Sequence, residues 1–210
     1  MSLPSNYDLS LPRVSEIVSF AYPFEGESLE RFEGWLYVRG IQFDDYMEEA
    51  SSGGRFVHAQ MENKLNHNEV ITGTAYDGYV HAWLAFLEEG GFAPVLWEQY
   101  VKNKDYQGTI DLVAEKDGEL WILDWKTYGL AKDKFGITST TYRKPSDKLK
   151  KAGLQLSLYA KAFRMGTRKA TRFAVIELAK DGYKFHELKQ TPESELTKLV
   201  RAFKKASIET

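Results

Sequence analysis

The spacing of apolar residues changes period four times along this chain. Arg55–Leu65 reads as a short helix, and Asp77–Glu89 as a stronger one, with Tyr79, Val80, Trp83, Leu84 and Leu87 at helical steps before Gly90-Gly91. After Pro94 the period becomes two, so Val95–Val101, Gly108–Glu115 and Glu119–Trp125 read as consecutive strands. Asp117-Gly118 joins the last two and is a strong two-residue hairpin signal. Lys148–Phe163 returns to helical spacing. Arg172–Leu178 and Tyr183–Leu188 form a second hairpin through Lys180-Asp181-Gly182, and Pro192–Ala206 is a final helix with Thr191 as its cap. Helices, three strands, a helix, two strands and a helix predict an α/β (α+β) fold with a mixed central β-sheet flanked by helices.

The first 50 residues are the least regular. Leu11–Val14 reads as extended, Ile17, Val18 and Phe20 form a short apolar stretch, and the aromatic-rich Phe32–Tyr46 reads as helix and turn around Gly34 and Gly40. Ser51-Ser52-Gly53-Gly54 then punctuates the chain. The expected division is an N-terminal irregular and helical extension over residues 1–50, packed on a core of residues 51–210.

Composition narrows the chemistry. With 210 residues and 43% hydrophobic content the chain can bury a full core. It has no Cys, which excludes a disulfide framework, a thiolate zinc site and a cysteine-ligated iron–sulfur cluster, so any metal must sit on His, Asp or Glu. The absence of a basic, apolar leader and of a long apolar run predicts a cytoplasmic protein without a membrane partner. The net charge of −2 hides a partition. Residues 126–172 carry 13 Lys/Arg against 2 Asp/Glu, a net of +11, which leaves −13 for the remainder and −7 within residues 1–50. One surface of such a molecule attracts a polyanion. A solvated helix face is the plainer account of the Lys144–Lys151 cluster.

The Asp117-Gly118 hairpin carries the candidate chemistry. If those two residues form the whole loop, Lys116 pairs with Glu119, Asp111 lies opposite Asp124, and Thr109 faces Lys126. One face of the ribbon then carries Ile110, Leu112, Ala114, Trp121, Leu123 and Trp125, and the other carries Val113 and Ile122 and, toward one end, Asp111, Asp124 and Lys126. Carboxylates directly across an antiparallel pair repel, and a divalent cation converts that cost into affinity. Lys126 beside such a cation could orient a water or stabilise charge developing on a phosphate. An exposed hairpin end with an Asp–Lys pair is the alternative.

Gly108-Thr109-Ile110-Asp111-Leu112 followed by Ile122-Leu123-Asp124-Trp125-Lys126-Thr127 resembles the catalytic core of the PD-(D/E)XK nuclease superfamily, with its Asp and D/E-x-K triplet on adjacent strands. Gly54-Arg55-Phe56-Val57-His58 with Glu62, Glu98 in the preceding strand, and Gln155 with Tyr159 resemble motifs of the RecB-like exonuclease branch, which includes the mitochondrial genome maintenance exonuclease and phage members. The opening Pro12–Ile17 is a looser match. Some members of the branch carry a four-Cys cluster; the Cys-free chain resembles the cluster-free ones.

The resemblance implies a restriction-endonuclease-like core and a Mg²⁺- or Mn²⁺-dependent DNA exonuclease acting on single strands or DNA ends and leaving 5′ phosphates. It implies a metal held by His58, Asp111, Asp124 and the backbone carbonyl of Trp125, with Glu98 as a further candidate. Lys126 would orient or deprotonate the nucleophile, and Gln155 and Tyr159 would position the lysine or the strand. Lys148, Lys150, Lys151 and Arg143 are candidate phosphate contacts, with Tyr128, Phe135 and Tyr142 available either for base stacking or as loop anchors. The implied partner is DNA, with a helicase or recombination protein as a further candidate and repair or recombination as the setting. A structure-selective endonuclease and a non-catalytic nucleic-acid-binding module are the competing functions.

Overall fold

A computed structural model describes residues 7–127, 129–137 and 145–208. Among the described residues seven helices and five strands follow one another as α1 (Val14–Ala21), α2 (Glu27–Tyr37), α3 (Phe43–His67), α4 (Asp77–Gly90), β1 (Ala93–Lys102), β2 (Gln107–Lys116), β3 (Glu119–Lys126), α5 (Leu130–Lys134), α6 (Pro145–Ala162), β4 (Arg172–Ala179), β5 (Gly182–Leu188) and α7 (Glu193–Ala206). The sheet runs β1-β2-β3-β4-β5 in space, and only the β3–β4 pair is parallel. A parallel neighbour requires a crossover, which α5 and α6 supply. This is the mixed α/β sheet that the order of periodic segments predicts.

Both faces of the sheet are covered. Val14, Ile17 and Val18 of α1, Leu156 and Leu158 of α6, and Leu196 and Val200 of α7 pack with Val113, Ile122 and Val175 on one side. Val57 and Met61 of α3 and Tyr79, Trp83 and Phe86 of α4 pack with Leu112, Leu123, Trp125 and Ile176 on the other. Burial on both faces explains why β3 and β4 read as nearly continuous apolar runs, whereas the edge strand β5 alternates. Among the described residues no helix is long and apolar enough to cross a membrane.

Five local expectations are corrected. Ser51–Gly54 is no break: α3 runs through it, and a Cβ on Gly53 would lie 2.3 Å from the Leu130 side chain. The glycine is there to let α5 seat against α3, so a packing requirement had the look of punctuation. Val14 begins a helix instead of ending an extended segment. The short helix α5 had no counterpart, since its five residues are too few to display a period. Thr191 does not cap α7: Pro192 is the N-cap, and the Thr191 N–H is donated to Ser157 Oγ at 2.9 Å. Ile110 does not share a face with Leu112, and instead joins the α1–α6–α7 side of the core. The alternation breaks at Asp111, which lies between them.

Candidate active site

The hairpin register is as the two-residue loop requires. Asp117 and Gly118 have φ of +53° and +77°, the left-handed pair that a type I′ turn needs, and the ladder runs from Lys116–Glu119 to Leu112–Leu123. Asp111 and Asp124 come next in that register, where the regular ladder ends. There the Asp111 carboxylate accepts the Trp125 backbone N–H at 3.2 Å.

Opposite Asp111 on the far side of β2 is Glu98. The pairs Trp97–Leu112 and Gln99–Ile110 flank it, and its own backbone is left-handed at φ +45°. A side chain with a Cβ adopts that conformation at a cost of roughly 1–2 kcal/mol, and the residue carrying it here belongs to the carboxylate cluster. Ligand atoms of His58, Glu98 and Asp111 all lie within 4.8 Å of one another. His58 reaches them from α3, with Nδ1 4.0 Å from Asp111 Oδ1.

His58 is held by a residue whose side chain the motif did not single out. The Trp125 indole N–H is donated to His58 Nδ1 at 3.1 Å. An indole can only donate, so Nδ1 accepts and the proton of the neutral ring sits on Nε2. Burial, followed by the nearby Lys126 charge, lowers the His58 pKa to about 4, so the ring is neutral at physiological pH. The lone pair a metal could take is therefore the one Trp125 now occupies. The clue was present in the sequence, because strand alternation sends the middle residue of Asp124-Trp125-Lys126 to the face opposite its neighbours, toward α3.

Asp124 lies outside the His58–Glu98–Asp111 group and is 1% exposed. Lys126 Nζ donates to its Oδ1 at 2.9 Å and sits 2.8 Å from its Oδ2. From α6, Gln155 Nε2 donates to the same Oδ1 at 3.4 Å and to the Tyr159 hydroxyl at 3.2 Å. Gln155 and Tyr159 thus meet the sheet end together, as the four-residue step on one helix face requires. Gly108 makes room for them, since a Cβ there would stand 2.6 Å from the Tyr159 ring.

Burial raises Asp111 and Asp124 to about 6 against the pull of Lys126, and Glu98 to about 7, with the Asp111 and Glu62 charges adding to the last. Three carboxylates resisting ionisation at one sheet end form a donor set that suits a hard divalent cation. Glu98→Gly should therefore raise the melting temperature of the metal-free protein. It removes roughly 1 kcal/mol of backbone strain together with one repelling carboxylate, which for a chain of this size is a gain of roughly 2–4 °C. It should also weaken the response to Mn²⁺. A fall in metal-free melting temperature would show that Glu98 is structural.

Of the expected phosphate contacts, Lys148 and Lys151 line one cavity with Lys126 and Gln155, while Lys150 lines another on the opposite flank of α6. Phe135 stacks on Tyr46 at 5.9 Å between ring centres. Tyr128, Tyr142 and Arg143 lie outside the described residues.

A family model of the PD-(D/E)XK nuclease superfamily matches residues 74–209, well over half of the chain. The chain belongs to the PD-(D/E)XK nuclease superfamily. Membership implies metal-dependent nuclease activity, and the five-stranded mixed sheet with helices on both faces is consistent with the restriction-endonuclease-like PD-(D/E)XK fold. The matched segment contains Glu98, Asp111, Asp124, Lys126, Gln155 and Tyr159; His58 precedes it. A search of curated proteins finds no significant match. Among solved structures, the crystal structure of SSO0001 aligns with 95% of this chain and 78% of its own at 15% identity and a TM-score of 0.46.

Proposed function

We propose that this PD-(D/E)XK protein is a Mg²⁺- or Mn²⁺-dependent deoxyribonuclease that degrades single-stranded DNA or DNA from its ends and leaves 5′ phosphates. The observation that carries the reading is the ion pair of buried Asp124 with half-buried Lys126 next to the His58–Glu98–Asp111 donor group at one sheet end, beside a lysine-lined cavity. His58, Glu98, Asp111, Asp124 and the Trp125 carbonyl are the groups that would hold the cation. When bound, the cation supplies an acidified water and polarises the scissile phosphate. Lys126, held as an ammonium by Asp124, orients the attacking water and stabilises negative charge developing on the phosphate. Gln155 and Tyr159 hold Asp124 and, through it, the ammonium in place. Lys148 and Lys151 bind the phosphates of the incoming strand.

Digestion of 5′-labelled, 3′-labelled and covalently closed circular single strands, each with Mg²⁺, Mn²⁺ or EDTA, tests this. Linear strands should shorten progressively from one end with either metal and stay intact in EDTA, and circles should persist. Cleavage of circles as fast as linear strands would establish the endonuclease, and no cleavage of any strand the binding module.

A further inference from the structure

The cavity shared by Lys126 and Gln155 has an unusual construction. It is about 580 Å³ in volume and lies between α6 and the N-terminal helices. Its floor carries Lys126, Lys132, Lys148 and Lys151. Its wall is aromatic, formed by Phe24, Phe32, Trp35 and Tyr46 of the α2–α3 region. The rings support one another: Phe32 stacks on Trp35 at 5.9 Å and 16°, and meets Tyr46 edge-on at 5.4 Å and Phe24 at 5.7 Å. Phe32 is buried, whereas Phe24, Trp35 and Tyr46 keep part of their surface open.

The charges on that wall are sorted. Residues 24–50 contain eight Asp/Glu, yet no acidic residue of the described structure lines the cavity. Seven of the eight are exposed elsewhere, and the eighth, Glu49, pairs with Lys134 at 3.4 Å. An acidic segment that shows four aromatic rings with Met47 and Ala50, and no carboxylate, to four lysines fits a ligand with flat apolar faces and a row of negative charges. A duplex meets the second condition and fails the first, because its base faces are already stacked.

We propose that this cavity is the base-stacking subsite of the enzyme: an unpaired nucleotide of single-stranded DNA inserts its base among Trp35, Tyr46 and Phe24 while its flanking phosphates lie on Lys148, Lys151 and Lys132. The neighbouring phosphate is thereby delivered to Lys126. The inference deepens the nuclease reading and rests on it for the identity of the reacting phosphate, but not for binding. It assigns the choice of single strands to the N-terminal segment, outside the residues that carry the chemistry.

Binding in EDTA separates the two readings, because nothing is cut. Fluorescence anisotropy would compare a short labelled oligothymidylate with an abasic strand of equal length and charge. The wild type should prefer the strand with bases on the order of tenfold for each base stacked. Trp35→Ala should bring the preference close to one, and Trp35→Phe, which keeps a flat ring, should retain most of it and guards against a folding artefact. Joint Lys148→Gln and Lys151→Gln should weaken both probes alike and flatten the log–log salt slope by about 1.4. Tyr37→Ala, at an 80% exposed position on α2 outside the cavity, should change neither quantity. Equal affinity of the wild type for both probes, or an undiminished preference in Trp35→Ala, would overturn the proposal and leave the groove to an apolar peptide. Discrimination between the probes without cleavage of any strand in Mn²⁺ would keep the subsite and overturn the nuclease; cleavage without discrimination would do the reverse.

Discussion

Asp124→Asn is expected to abolish both DNA cleavage and the stabilisation of this protein by Mn²⁺. In the wild type a cation at a hundredfold excess over its dissociation constant adds about 2.7 kcal/mol to the folded state, and at roughly 2–4 °C per kcal/mol for this size the melting temperature rises by several degrees. The gain depends on pH. Asp111 and Asp124, raised to about 6, and Glu98, raised to about 7, stabilise the metal-free fold most below their unfolded values near 4, and that contribution is lost as pH climbs through 6 to 7. His58, lowered to about 4, works the other way over the same window, since the unfolded ring takes up a proton there and the buried ring does not. Three carboxylates outweigh one imidazole, so metal-free stability falls between about pH 4 and 7. The cation competes with protons for the same oxygens, so the Mn²⁺ shift should be small at pH 5 and complete by pH 8. Thermal melts of wild type and Asp124→Asn with and without Mn²⁺ across that range are the measurement. A variant that cuts DNA at the wild-type rate would remove Asp124 from the site.

Lys126→Met should lower turnover by roughly 10²–10³-fold, the usual cost of removing one preorganised group that stabilises charge in the transition state, while changing DNA affinity only slightly. The ammonium touches Asp124 at 2.8–2.9 Å and is one of four lysines lining the cavity. Its loss therefore removes at most one phosphate contact among several. Single-turnover rates beside anisotropy binding in EDTA distinguish the two roles, because a group acting in the transition state lowers the rate at saturating DNA and a binding group does not. Parallel losses in rate and affinity would reduce Lys126 to a phosphate contact. The assay belongs at pH 8 with Mn²⁺, because without the lysine Asp124 ionises less readily at lower pH.

How much of this was legible before the fold was known follows from the range over which each feature is determined. A two-residue loop dictates the register of the strands it joins, so the turn at Asp117-Gly118 by itself brought Asp111 and Asp124 to adjacent positions and placed Lys126 on the same strand as Asp124. The four-residue step from Gln155 to Tyr159 likewise put both side chains on one helix face, and the observed bond between them is a local consequence. The period-two runs after Pro94 marked β1 to β3 because each strand is buried or half-buried along its own length.

Other features depend on contacts across the chain. Glu98 reads as one more position in an alternating strand, and its left-handed backbone and its place beside Asp111 and His58 emerge only once β1 is paired with β2. His58 meets Trp125 across 67 positions of sequence, and the glycine that allows α5 to seat against α3 looks, in the sequence, like a helix break. The aromatic wall is the clearest case. Phe24, Phe32, Trp35 and Tyr46 carry no common period, because they come from the approach to α2, from α2 itself and from the start of α3. The sequence by itself therefore determined the strand register, the sheet class and the carboxylate–lysine chemistry, all fixed by turns and periods a few residues long. The tertiary structure alone decided how the His58 ring is held and protonated and which surface faces the lysines, because those follow from how whole helices pack against the sheet.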